Sequence, residues 1–264
     1  MDPPKATRGK KQPGPARTAG TKLRGLPNDS PDVRLSKTFS WLLRHGAQAD
    51  GLPMRPDGYV KVTDLLENPK VKSQSVTFEK LQELVKADSK QRFDLVLEGS
   101  EGSEGIWIIK ARQGHSIQEV KVDFKPVIVI SDIPTGIAVH GTTRVAWESI
   151  AKQGLSKMQR NHIHLAQGVG ADIKSGMRKS SQIFIYINVQ KALDDGVKFF
   201  LSDNGVVLTE GEDGFLATKY FLLVEDVKHG VLDGWAGVHT LDASISGTFA
   251  STSATTAQMA AQAP

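Results

Sequence analysis

Residues 93–109, FDLVLEGSEGSEGIWII, consist of two short apolar runs joined by a flexible segment. Phe93–Leu97 and Ile106–Ile109 have the length and composition of strands, and Glu98–Gly105 contains only Gly, Ser and Glu. Two strand-like runs separated by such a Gly-rich segment indicate a β-hairpin with a longer loop. The stretch therefore predicts a hairpin with its tip at residues 98–105.

Three helical patterns precede this hairpin. Apolar residues fall on one face over residues 32–45 and again over 77–87, and a shorter helix follows Thr63 as far as Glu67. Residues 59–62 read as a short strand after an Asp-Gly turn. Three helices followed by a β-hairpin are typical of a winged-helix domain, a fold that often binds nucleic acid, although a fold alone does not establish function.

The chain after Pro126 is rich in strand-like runs. A helix is predicted over residues 145–153 and a short one over 190–194. We therefore expect an α+β protein with a first lobe over residues 31–120, a mixed α/β lobe over 121–240, a disordered basic tail over 1–30 and a low-complexity tail over 241–264. The predicted strands of the second lobe are residues 127–130, 137–140, 163–166, 183–189, 206–208 and 220–224.

The net charge of +4 is concentrated in one segment. Residues 1–25 carry seven Lys or Arg and one Asp, so the other 239 residues carry 26 basic and 28 acidic groups. A nucleic-acid contact in the folded part must therefore be local. The absence of Cys excludes disulfides, Cys-ligated zinc and thiol nucleophiles, and no apolar run reaches the ~18 residues of a membrane helix.

Three groups of candidate residues lie in the first lobe. Arg44 and His45 end the first predicted helix, where the helix dipole favours a cation, so a structural role fits as well as a catalytic one. Arg92 enters the hairpin and fits either a solvated strand edge or a phosphate contact. Gln113-Gly114-His115-Ser116 leaves the hairpin, and its side chains can donate to phosphate oxygens or simply form a loop.

Three further motifs lie in the second lobe. His140-Gly141-Thr142 ends an apolar run, where a glycine lets a ligand approach the backbone. In Arg160-Asn161-His162-Ile163-His164-Leu165 the two histidines share a strand face, but no Cys or well-spaced acid completes a zinc site, so we expect no metal. Ser175-Gly176-Met177-Arg178 is a basic loop suited to phosphate. This inventory of arginines, histidines and glycines suits phosphate chemistry rather than peptide or glycoside hydrolysis.

Taken together and in this order, these motifs resemble the NAD-dependent tRNA 2′-phosphotransferase family over about residues 32–225. The resemblance implies a winged-helix lobe for RNA and a second lobe with an ADP-ribosyltransferase fold for NAD. It also implies two steps: the RNA 2′-phosphate attacks the nicotinamide ribose and expels nicotinamide, and the 2″-hydroxyl then attacks that phosphate. The products are RNA with a free 2′-hydroxyl, nicotinamide and ADP-ribose 1″,2″-cyclic phosphate.

The resemblance also assigns candidate residues. It implies a catalytic quartet of Arg44, His45, Arg92 and Arg160. It implies NAD contacts from His140, Gly141, Thr142, His164, Ser175, Gly176 and Arg178. For the RNA and its phosphate we expect contacts from Lys37, Gln113, His115 and Ser116.

Other expectations complete this interpretation. The substrate is tRNA or another RNA with an internal 2′-phosphate, NAD is the co-substrate, and the protein is expected to be a monomer of the cytoplasm, the nucleus or both, with no membrane association. Two alternatives stay open: NAD-dependent ADP-ribosylation of terminal phosphates of RNA or DNA, and a non-catalytic winged-helix RNA-binding protein.

Overall fold

The computed structural model describes residues 24–99, 104–170, 176–178 and 180–235. The predicted tails lie largely outside these ranges, as do the centre of the hairpin tip and Ser175. By their internal contacts the residues form two units. The first ends at Asp123 and also includes Gln159–Asn161, and the second comprises Phe124–Met158 and the chain from His162 onward.

The first helix of the first unit, α1, spans Pro31–Trp41. The side chain of Ser30 accepts a hydrogen bond from the backbone N–H of Val33, and Pro31 occupies the first turn, so both residues favour a helix start here. The helix does not end regularly, because residues Leu42–Gly46 form a π-helical turn. The sequence pattern predicts one regular helix over 32–45 and does not reveal this change.

The rest of the first unit combines short helices with a three-stranded antiparallel sheet of order β1-β3-β2. The predicted hairpin is confirmed, with β2 and β3 paired from Phe93–Ala111 to Glu98–Ile106. Helix α3 is not predicted by the sequence pattern. The elements are β1 (Val60–Lys61), α2 (Val62–Glu67), α3 (Pro69–Lys72), α4 (Phe78–Lys86), β2 (Phe93–Glu98) and β3 (Ile106–Ala111). Their shared core includes Phe39, Leu42, Leu43, Leu65, Leu81 and Ile109.

The second unit contains two four-stranded sheets, of order β4-β9-β10-β7 and β13-β12-β8-β5, and a two-stranded sheet of β11 and β6. All of these strand pairs are antiparallel. The strands are β4 (Lys125–Val127), β5 (Val139–Thr142), β6 (Leu155–Ser156), β7 (Ile163–Leu165), β8 (Ile183–Ile187), β9 (Phe199–Leu201), β10 (Val207–Thr209), β11 (Phe215–Leu216), β12 (Phe221–Asp226) and β13 (Gly230–Val231). The helices are α5 (Arg144–Gln153) and α6 (Val189–Asp194).

The apolar run at residues 127–130 does not form the predicted strand. The strand ends at Val127, and the chain enters a 3₁₀ turn at Ile130–Asp132. The Asp132 carboxylate accepts the N–H groups of Ile128 and Val129, at 2.8 and 3.1 Å, and so replaces strand pairing there. The α+β class is confirmed at this level, since both units combine helices with antiparallel strands.

Candidate functional site

The π-helical turn at Leu42–Gly46 carries Arg44 and His45. Ser116 holds this turn from a distant part of the chain: its N–H donates to the carbonyl oxygen of Arg44 at 3.0 Å, and its Oγ lies 2.9 Å from Nδ1 of His45. Single π turns occur often at functional sites. The backbone of one candidate residue and the ring of the other are therefore fixed by the same serine.

Gly114 brings the loop that contains Ser116 close to the side chain of Arg44. Its φ is +91°, in the left-handed region that favours glycine. A Cβ at this position would lie 3.4 Å from both Cδ and Nε of Arg44. The glycine of the Gln-Gly-His-Ser motif thus serves a backbone conformation beside Arg44.

Arg92 is held by a turn built around Asp88. The Asp88 carboxylate, 4% exposed, accepts the backbone N–H of Arg92 at 2.6 Å and that of Lys90 at 3.2 Å. It also accepts a hydrogen bond from Nη1 of Arg92. Between these residues Gln91 has a φ of +47°. Side-chain bonds of this kind are a common way for Asp to stabilise a turn, and here the turn orients the arginine.

Arg160 joins the first unit although it is distant from Arg44 in sequence. Its neighbour Asn161 anchors the segment: the Asn161 N–H donates to the carbonyl of His115 at 2.9 Å, and its side-chain amide donates to those of Ile117 and Val120 at 3.2 and 3.3 Å. These bonds place Arg160 beside the loop that contacts the π turn.

The electrostatics of Arg44 show how tightly the cations are grouped. Burial, followed by the positive charges of Arg160 and Arg92, lowers the pKa of Arg44 to about 10, and the charge of Asp88 opposes this effect. Among the residues that the structure describes, Nε and Nη2 of Arg44 have no hydrogen-bond partner although both atoms are buried. Donors of this kind are costly unless an acceptor satisfies them.

His45 is affected by the same cations. Partial burial lowers its pKa below the ordinary value, and the charges of Arg160, Arg44 and Arg24 lower it further. The imidazole is therefore mainly neutral at pH 7. Within the described ranges, three guanidinium groups and one imidazole, with Asp88 as the carboxylate that acts on Arg44, form a site that a dianionic phosphate would neutralise.

The remaining candidates for RNA contact have different environments. The Lys37 ammonium is exposed and pairs with Asp29 at 2.6 Å. Gln113 and His115 are buried, at 6% and 4% exposure, and the His115 ring lies beside Gly58. Their proposed contacts with RNA stay predictions.

In the second unit, three candidates lie on one strand, and a fourth lies within hydrogen-bond distance of the first of them. His140, Gly141 and Thr142 belong to β5, and Nδ1 of His140 lies 3.1 Å from the carbonyl oxygen of His164 on β7. His164 is itself buried. A Cβ on Gly141 would come within 2.5 Å of Met177 Cγ and Ser181 Oγ, so this glycine is required by packing.

The basic loop Ser175-Gly176-Met177-Arg178 is described only in part, because Ser175 lies outside the described residues. Gly176 has a φ of +92°, and a Cβ there would lie 2.9 Å from the Cα of Ala166. Arg178 is exposed. The backbone of Gly176 therefore packs against the residue after β7, and Arg178 leaves a cation at the surface.

Comparison with known proteins identifies the family. The model of the RNA 2′-phosphotransferase, Tpt1 / KptA family matches residues 30–211, which include every candidate named above. The chain belongs to this family. It is 46% identical over 195 residues to a putative tRNA 2′-phosphotransferase of Schizosaccharomyces pombe, covering 73% of this chain and 51% of that protein. The chain thus spans about half the length of the fission-yeast relative.

Two vertebrate members of the family match over most of their length. The tRNA 2′-phosphotransferase 1 of Danio rerio is 42% identical over 216 residues, which cover 80% of this chain and 94% of that protein. The protein of the same name from Homo sapiens is 44% identical over 214 residues, covering 79% and 82%.

Two residues of this family member are missing from the sequence-based candidates. Asp88 precedes Lys-Gln-Arg-Phe, and an Asp four residues before an Arg is a weak signal for a turn. Asn161 follows Arg160 directly, and nothing in the local pattern shows that its amide bonds to the first unit. Asp88 orients Arg92 through hydrogen bonds, and Asn161 anchors the segment that carries Arg160.

The two histidines of the Arg160–Leu165 motif raise the question of a metal site, and the structure shows the surroundings of His162. No group of three or more His, Cys, Asp or Glu suited to a metal occurs in the part of the chain that the structure describes. His162 lies edge-on to the rings of Phe124 and Phe200, and burial lowers its pKa. Among the described residues, no helix is long and apolar enough to cross a membrane.

Proposed function

We propose that this chain is an NAD-dependent RNA 2′-phosphotransferase that removes the 2′-phosphate left at the splice junction of ligated tRNA. The observation that carries the proposal is the grouping of Arg44, His45, Arg92 and Arg160 in one unit, with two buried donors of Arg44 unsatisfied among the described residues. Such a site matches a phosphate dianion in charge and in donor geometry.

In the first step, an oxygen of the RNA 2′-phosphate attacks the anomeric carbon of the nicotinamide ribose of NAD. The bond to the nicotinamide nitrogen breaks, and nicotinamide leaves with the bonding electron pair. The phosphate is already ionised, so no general base is needed. Arg44 and Arg92 hold it in line, since a guanidinium stays charged at neutral pH and donates two parallel hydrogen bonds.

In the second step, the ribose 2″-hydroxyl oxygen attacks the transferred phosphorus. The bond from phosphorus to the RNA 2′-oxygen breaks, and that oxygen takes a proton while the cyclic phosphate closes. The crowded, highly charged phosphorus at this stage needs preorganised cations. We assign this role to Arg160, which Asn161 positions beside Arg44 and His45. A neutral His45 can accept the hydroxyl proton or donate a hydrogen bond to the phosphate.

NAD is a substrate in this proposal, and the second unit carries the residues suited to it. His140 and Thr142 supply hydrogen-bonding groups for ribose hydroxyls, and the exposed Arg178 supplies a cation for the pyrophosphate. Gly141, His164, Ser175 and Gly176 complete the proposed NAD contacts.

The two lobes take different roles in the proposal. The lobe at residues 31–120 is a winged-helix RNA-binding lobe, supported by helices followed by the β2–β3 hairpin. The lobe at 121–240 has an ADP-ribosyltransferase-like fold. Because tRNA is the proposed substrate, we place the protein in the cytoplasm, the nucleus or both.

The direct test uses an oligonucleotide with a single internal 2′-phosphate, with and without NAD. We expect loss of the 2′-phosphate only with NAD, one nicotinamide released per phosphate, and no effect of EDTA. No NAD-dependent loss would contradict the proposal. Faster reaction at a terminal 5′-phosphate would favour ADP-ribosylation of nucleic-acid ends.

An Arg160→Ala variant tests the assignment of the second step. We expect RNA carrying ADP-ribose on its 2′-phosphate to accumulate, visible as a slower band on a gel, with nicotinamide release retained. Loss of activity without this species would instead place Arg160 in the first step.

A further inference from the structure

Arg24 is attached to helix α1 at two points. Its backbone N–H donates to Oγ1 of Thr38 at 2.8 Å, and the Thr38 hydroxyl in turn donates to the carbonyl of Arg34 at 2.9 Å. Its guanidinium carbon lies 3.9 Å from the centroid of the Trp41 ring, a stacked cation–π contact. The side chain of Arg24 is thus oriented, although the residue is exposed.

Trp41 connects Arg24 to the candidate site. A Cβ at Gly46 would come within 2.4–2.7 Å of three carbons of the Trp41 ring, so the ring lies directly on the Gly46 backbone. Gly46 is the residue after His45 in the π turn. In agreement with this proximity, the charge of Arg24 contributes to the lowered pKa of His45.

The guanidinium of Arg24 differs from other cations of the first unit in its partners. Lys37 pairs with Asp29, and Arg55 pairs with both Asp57 and Glu98. Among the described residues, Arg24 has no ion pair and no side-chain hydrogen bond. An exposed, oriented guanidinium without a carboxylate partner in the described part of the chain keeps its planar donors available for a ligand.

We propose that Arg24 binds the phosphodiester adjacent to the 2′-phosphate of the substrate RNA. This inference rests on the proposed function. The ribose that carries an internal 2′-phosphate also carries a 3′-phosphodiester on the neighbouring carbon. An RNA whose 2′-phosphate contacts Arg44 and His45 therefore brings a second anion close to this turn. The Trp41 ring lies against the turn at Gly46, and Arg24 lies over that ring. The contact of Arg24 with the second anion favours internal over terminal phosphates.

The test measures binding of a fluorescent single-stranded RNA with an internal 2′-phosphate, without NAD, to the full chain. Arg24→Ala is compared with Arg8→Ala, which removes one positive charge from the same basic segment, and with Arg24→Lys. A second RNA has a neutral methylphosphonate at the 3′ linkage beside the 2′-phosphate. Binding is measured over a series of salt concentrations.

We expect Arg24→Ala to raise Kd roughly tenfold on the natural linkage and to reduce the salt slope by about 0.7, the value for one phosphate of a single strand. On the methylphosphonate RNA, wild type and Arg24→Ala should bind equally. Arg24→Lys should be intermediate, because it keeps the charge without the planar stack.

Two results would overturn the inference: equal binding by Arg24→Ala and Arg8→Ala, or an equal loss by Arg24→Ala on both RNAs. Failure of the proposed function gives a different result. In that case the wild-type chain would bind the RNA no better with the 2′-phosphate than without it, and would not consume NAD with either. That outcome would overturn both proposals together.

Discussion

Arg44 and Arg144 are both arginines next to a helix, one in each unit, yet their electrostatic environments are opposite. Arg144 begins α5 and makes two hydrogen bonds to Asp226, at 2.5 and 2.6 Å, which raise its pKa. Arg44 lies in the π turn after α1, where burial and two neighbouring arginines lower its pKa to about 10. One cation is satisfied by a carboxylate, whereas the other is crowded by like charges.

This difference separates an arginine that is satisfied within the fold from one that we propose binds a phosphate. The Arg144–Asp226 pair links the start of α5 to the end of β12, and Asp226 also accepts the N–H groups of Lys228 and His229. The hydrogen bonds of this ion pair are therefore made to groups within the fold. The cluster around Arg44 has more positive than negative charge, so a phosphate would relieve the repulsion that the folded chain sustains.

Arg92→Ala should have the largest effect, because it removes a cation from the cluster. We expect kcat/KM for RNA with an internal 2′-phosphate to fall by about 10²–10³-fold, as for loss of one preorganised donor. The matched control is Arg55→Ala, whose exposed partners are Asp57 and Glu98. If Arg92→Ala were about as active as Arg55→Ala, arginines of the cluster would not differ from arginines paired with carboxylates.

Asp88 should act as a scaffold for Arg92. Asp88→Ala removes the acceptor for the backbone N–H of Arg92, and we expect kcat to fall by up to about 10²-fold through displacement of the guanidinium. Asp88→Asn keeps one side-chain oxygen as acceptor and should retain most of the activity, with KM for NAD unchanged in both variants. Equal losses of kcat in the two variants would show that Asp88 acts through its negative charge, as Asp226 does toward Arg144, and not as a hydrogen-bond acceptor.

Asp226→Asn should affect stability rather than chemistry. The Arg144 guanidinium holds the pKa of Asp226 well below its usual range, so its contribution to stability is complete above the unfolded pKa of about 3.9 and is lost as pH falls below it. The urea midpoint of the variant should be lower than that of wild type between pH 5 and 8, and the difference should narrow below pH 4.

Glu148→Gln, an exposed change on α5, is the control for this measurement. A difference between wild type and Asp226→Asn that persists unchanged at the lowest pH would contradict the assigned role of the carboxylate.

The smallest effect concerns His45. Arg160 is the first of the cations that lower its pKa, after burial, so Arg160→Gln should shift the pKa of His45 upward. An NMR titration of the imidazole signals measures this shift, and Arg55→Gln should leave the titration unchanged. No shift, or a downward shift, would mean that the charge of Arg160 does not act on His45.

Much of the local structure is predictable because its causes are local. The alternation of apolar runs with a Gly-rich tip predicts the β2–β3 hairpin, and the amphipathic pattern over residues 77–87 predicts α4, which spans Phe78–Lys86. Short strands are missed where two or three residues give no usable period, as at Leu155–Ser156 and Phe199–Leu201. The resemblance of the ordered motifs predicts the family that the comparisons show.

The geometry of the candidate site is harder to predict from the sequence. Periodicity treats residues 32–45 as one regular helix, because the apolar pattern continues through the π turn. The order of residues also separates Arg160 from Arg44 by more than a hundred positions. No local pattern shows that Asn161 ties its segment to the loop at 115–120.

Residue types, their spacing and their order therefore account for the class of fold, the family and the phosphate-directed chemistry. Packing accounts for which arginine is structural and which is available to a ligand. Arg44 and Arg144 are the same residue type beside a helix, and only their three-dimensional neighbours, Arg92 and Arg160 for one and Asp226 for the other, make their electrostatics different. Coulomb interactions depend on distance in space and on burial, and neither quantity is local in the chain.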